Sequence, residues 1–121
     1  MSLTSQLFIA FVAIEHLLFL YVEMFAWETT GKKIFRTTPR EMFKPTKAMA
    51  ANQGLYNGFL AAGLIWSVII SDEQWAFNVG CFFLICVIIA SKYGAYSVSK
   101  NIFLVRGIPA YIALAALLIL R

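Results

Sequence analysis

Three ionisable side chains, Glu15, His16 and Glu23, lie inside one long apolar run of this 121-residue chain. At the middle of a membrane helix each charge costs about 2.5–3.5 kcal/mol, so each needs a reason to be there. A carboxylate and an imidazole are the groups that general acid–base chemistry uses, one as proton donor and the other as acceptor. On a helix, His16 and Glu23 are about 20° from alignment, Trp27 follows Glu23 by one turn, and Glu15 lies some 80–100° away. One face of that helix must point into protein.

A second polar row lies in NQGLYNGFLAAGL (52–64), where Gln53 and Asn57 are one turn apart and Tyr56 stands beside them. Gly54, Gly58 and Ala62 repeat at intervals of four, the small-residue pattern that lets helix backbones approach closely. Counting inward at about 1.5 Å per residue puts Glu23, Gln53 and Asn57 at similar depth, together with Ser91, Lys92, Tyr93, Tyr96, Arg106 and Tyr111. The expectation is a polar cluster in one half of a helix bundle, with Glu23 paired to Lys92 or Arg106 and with Glu15 and His16 deeper. Amides at these positions also serve simply to hold helices together, at around 0.6 kcal/mol each.

The elements that must position these groups follow from composition. The chain is 61% hydrophobic and only 13% charged, against about half and a quarter in a soluble domain, and so small a sphere cannot bury that much apolar surface. Four stretches, about 3–27, 48–70, 75–96 and 102–120, have the roughly 20 mainly apolar residues that a membrane crossing needs. The predicted fold is all-α, a single integral membrane domain over 1–121 with four transmembrane helices. The first stretch lacks a cationic leader and a small-residue cleavage pattern, and is expected to remain as a helix of the mature protein.

Charge sets the orientation. Nine of the ten Lys and Arg residues lie in or beside the first and third connections, six of them between 28 and 47; the turn around Asp72 and Glu73 has none. Positive loops stay inside, so the first loop is expected to be cytoplasmic and both termini outside. This placement excludes nucleic acid as the partner and points to membrane lipids. Within the loop, Thr37 or Thr38 as a cap, Pro39 near a first turn and Phe35 and Phe43 as apolar contacts predict a short interfacial helix ended by Pro45. Gly107 and Pro109 are expected to bend or seat the last helix. Cys81 and Cys86, about 140° apart on one helix, are expected as free thiols, and nothing in the spacing calls for a metal or cofactor.

The stretches IEHLLFLYVEMFAW (14–27), GKKIF (31–35), NQGLYNGFLAAGL (52–64), YGAYSVSK (93–100) and GIPA (107–110) closely resemble the bacterial membrane proteins grouped as domain of unknown function 1304. The resemblance covers nearly the whole chain and implies a four-helix, multi-pass protein of the bacterial inner membrane with no assigned activity. The family pattern has a neutral Gln where this chain carries Arg106.

Three functions compete. The first is a pocket in the cytoplasmic half of the bundle, lined by His16, Glu23, Trp27, Gln53, Tyr56, Asn57 and Tyr93, that binds a lipid-like or small amphipathic molecule; apolar walls with a few convergent polar groups suit such a ligand. The second is an enzyme acting on a hydrophobic substrate, with Glu23 or Glu15 and His16 as the catalytic proton donor and acceptor. The third is a small transporter, which needs a homodimer because four helices are too few to enclose a pore. A structural role, with the Gly54 and Gly58 face receiving a partner helix, completes the set.

Overall fold

The computed structural model describes residues 1–121 and is all-α. Four long helices are joined by short connections, except for one folded loop. Helix α1 spans Leu3–Phe25, α2 Thr30–Ile34, α3 Lys47–Ile69 and α4 Glu73–Ser97; α5, Lys100–Leu120, contains a π turn at Phe103–Gly107. Three of these, α1, α4 and α5, are long and apolar enough to cross a membrane. Helix α3 matches them in length with 23 residues, but Asn52, Gln53 and Asn57 dilute its apolar content.

Local chemistry explains the ends. The Ser5 amide of α1 donates to the Ser2 hydroxyl at 3.1 Å, and the Trp75 amide of α4 donates to the Asp72 carboxylate at 2.9 Å, which satisfies N–H groups that have no partner within the helix. Helix α5 is capped by Ser99, whose hydroxyl accepts from the Asn101 amide. Its π turn has a cause in the sequence. Pro109 lacks an N–H, and its ring would clash with the carbonyl four residues back in a regular helix. The wider turn, closed by the Ile108 amide on the Phe103 carbonyl, accommodates it. The expected bend at Gly107 and Pro109 is therefore a π turn.

The chain forms two compact units. The first comprises Met1–Glu15 and Leu60–Arg121. Its core joins Ile9, Val12 and Ala13 of α1 to Leu64 of α3, Leu84 and Val87 of α4, and Ala110, Ala113 and Leu117 of α5. Buried serine hydroxyls within it are not left bare: Ser67 donates to the Leu64 carbonyl at 2.6 Å and Ser91 to the Ile88 carbonyl at 2.7 Å. Outward faces carry Leu7, Phe11 and Ile14 on α1, Phe82, Ile85 and Ile89 on α4, and Leu104, Ile112 and Ile119 on α5, all exposed. Such continuous apolar surface suits hydrocarbon rather than water.

The second unit is His16–Phe59. Here the first loop is folded back on the end of α1. Phe43 is fully buried and packs on the Trp27 indole at 4.8 Å between ring centroids; Phe35 packs on the same indole at 5.3 Å. The Trp27 Nε1–H donates to the Thr46 hydroxyl at 3.1 Å, which itself donates to the Met42 carbonyl at 2.6 Å. Both phenylalanines thus make the apolar contacts expected of them. The loop helix lies elsewhere than predicted: it forms at Thr30–Ile34, and only a single 3-10 turn, Arg40–Met42, follows Pro39, with no side-chain cap. Burial of the aromatic rings, rather than capping by Thr37 or Thr38, decides the loop's path.

Candidate functional site

The buried polar face of α1 is the one its spacing predicts. Ser5, Ile9, Val12, His16 and Glu23 are all buried along one stripe. Within the second unit, the Asn57 Nδ2–H donates to Glu23 Oε1 at 2.6 Å, joining α1 to α3 through groups that are both nearly inaccessible. Glycine makes that reach feasible. A Cβ on Gly54 would lie 2.7 Å from Met24 Cγ, 3.0 Å from Glu23 Cβ and 3.2 Å from the Leu20 carbonyl oxygen, so the helices meet at backbone distance. The Gly54 and Gly58 face is thereby occupied within the chain, by Leu20, Glu23 and Met24, rather than left for a partner helix.

The other residues singled out from the sequence differ in burial and in their contacts. His16 is buried, with its ring edge-on to Phe19 at 5.2 Å. Trp27 is committed to Thr46, Phe35 and Phe43 in the loop. Gln53, Tyr56 and Tyr93 lie on the exposed surface, Tyr56 beside Phe59 and Tyr93 beside Tyr96. Lys92 holds its ammonium 5.6 Å from the centre of the Tyr111 ring, a cation–π placement rather than an ion pair with a carboxylate. Cys81 and Cys86 are separate, half-buried thiols.

Glu15 presents a different situation. Its Oε1 is buried without a hydrogen-bond partner, and the Arg106 guanidinium, from the π turn of α5, is near enough for its charge to act on the carboxyl. A buried carboxyl oxygen with nothing to accept from is costly and calls for an explanation. Beside α1, in the same unit, a lateral groove of about 600 Å³ is lined by Thr4, Phe8 and Phe11 of α1 and by Leu104, Pro109 and Ile112 of α5, among others. Thr4, Phe8, Phe11 and Glu15 fall within an arc of about 60° at 100° per residue, so Glu15 continues the groove's face one turn further along α1. The groove residues escaped the sequence reading, although their spacing of four, three and four was visible; apolar side chains at helical spacing look like any lipid-facing stripe. A second cavity, of about 450 Å³, lies at the other end of α4 and α5 among Glu73, Phe77, Leu117 and Arg121.

The family described as Protein of unknown function (DUF1304) matches residues 10–118. The chain belongs to this family. A relative from Lactococcus lactis subsp. lactis (strain IL1403), described as "Uncharacterized protein YpaA", is 29% identical over 116 residues, covering 94% of this chain and 96% of the relative. The likeness thus spans both compact units, with Glu15, Glu23, Asn57 and Arg106 inside the matched region. No solved structure matches the chain.

Proposed function

We propose that this protein is a four-span inner-membrane protein, with both termini outside and the basic first loop in the cytoplasm, that binds an amphipathic, lipid-like molecule. Helix α3, at 23 residues, is about 35 Å long at 1.5 Å per residue, enough for the fourth crossing despite its amides. Of its amides, Asn57 is tolerable there because it is buried against Glu23.

The observation that carries the binding reading is the buried, unpartnered Oε1 of Glu15, one turn beyond an apolar groove on the same face of α1. An apolar body fits the groove's walls, and an O–H or N–H donor at the molecule's membrane-embedded end would supply the partner that Glu15 Oε1 lacks. The ligand site supported in this way differs from the pocket expected around Glu23, whose carboxylate already has Asn57 as its donor.

Extraction of the protein purified in mild detergent, followed by analysis of the lipids it carries, tests this reading. The expected result is one amphipathic class enriched several-fold over the bulk membrane extract, and lost when Ile112→Trp fills the groove. A lipid complement identical to the bulk membrane would remove it.

A further inference from the structure

The first loop carries a second feature, independent of the groove. Of its six cations, Lys47 is paired with Glu28 at 3.5 Å. The other five, Lys32, Lys33, Arg36, Arg40 and Lys44, have no carboxylate within ion-pair distance, and Glu41 is the only other acid between residues 28 and 47. Five cations against one acid in so short a segment repel one another, and a flexible tail would relieve that repulsion by spreading out.

This loop cannot spread. It is pinned by the buried Phe43, by the Trp27–Thr46 hydrogen bond and by the amide of the buried Gly31, which donates to the Ala26 carbonyl at 2.8 Å. The packing therefore holds the cations together on a folded platform. Exposed apolar side chains, Ile34 and Met42, stand in the same platform. It begins three residues after α1, a helix long and apolar enough to cross a membrane, ends at Phe25. Headgroup depth is thus the platform's natural position.

We infer that the folded loop 28–47 is a binding surface for anionic phospholipid headgroups. Lysine and arginine supply charge-assisted hydrogen bonds to phosphate oxygens, and Ile34 and Met42 enter the boundary between headgroups and acyl chains. A soluble polyanion would satisfy the cations but leave those two apolar side chains in water, which favours a lipid surface over nucleic acid. The selectivity resides in this loop rather than in Lys92 and Lys100, which flank the α4–α5 connection.

The test uses the intact protein reconstituted in phosphatidylcholine vesicles with trace spin-labelled phosphatidylglycerol or phosphatidylcholine, the motionally restricted fraction giving the relative affinity. The expected preference for the anionic lipid is about threefold or more at low salt, falling toward unity between about 50 and 500 mM salt as the charges are screened. The Lys33→Gln, Arg36→Gln, Arg40→Gln, Lys44→Gln variant loses the preference, and Lys92→Gln, Lys100→Gln keeps it. Equal affinity for the two lipids in the native protein overturns the inference, as does a preference that follows Lys92 and Lys100 instead. If the fourfold variant does not reconstitute, the salt titration of the native protein decides: a preference that salt leaves unchanged also overturns it.

Discussion

The side-chain amide of Asn57 reaches the carboxylate of Glu23 across 2.6 Å, tying together two helices from positions 34 residues apart in the chain. Both groups are buried, so neither can turn to water for a replacement partner. The worth of the bond therefore depends on the low-dielectric site it occupies.

Removing the donor should be costly in proportion. Asn57→Leu leaves a carboxyl oxygen without that bond and is expected to destabilise the protein by about 1–3 kcal/mol, whereas Glu23→Gln retains an oxygen to accept from Asn57 and should cost less. Unfolding in mixed micelles by increasing SDS measures both; equal losses for the two variants would refute the hydrogen bond as the origin.

Gly54 and Gly58 should not respond alike to a methyl group. At Gly54 the added Cβ meets Met24 Cγ, Glu23 Cβ and the Leu20 backbone oxygen, and backbone cannot step aside. At Gly58 it meets the end of the Leu20 side chain, which can rotate away. Gly54→Ala is expected to cost about 1–3 kcal/mol by overpacking and Gly58→Ala distinctly less, in the same unfolding assay.

The proposed topology makes a direct forecast for labelling of intact cells with a membrane-impermeant maleimide. In a chain whose Cys81 and Cys86 are replaced by Ala, Ser71→Cys should label, and Thr37→Cys should label only after the membrane is permeabilised. Labelling of Thr37→Cys in intact cells would invert the orientation.

Much of the helical framework could be read from residue types alone: four long, mainly apolar stretches form long helices, and three of these are long and apolar enough to cross a membrane. The inward stripe through His16 and Glu23 was equally legible, since seven residues are two turns. Facing on α3 was not. Gln53 sits about 40° around the helix from Asn57, and that rotation is enough to leave Asn57 buried and Gln53 exposed; polarity alone does not distinguish them. The π turn was hidden for another reason. Pro109 signals a disturbance, but whether a helix answers by stopping, kinking or widening depends on its neighbours. Residue types mark Glu15 as a candidate beside His16 and Glu23, but that its Oε1 is buried without a hydrogen-bond partner depends on the packing around it.

The most direct test of the binding reading is native mass spectrometry of the protein released from nanodiscs, comparing the native chain with Glu15→Leu, which preserves the apolar groove. The account predicts one retained amphipathic molecule per native chain and about a tenfold lower occupancy in the variant, the equivalent of about 1.4 kcal/mol. Equal retention by both proteins, or none by either, would contradict it.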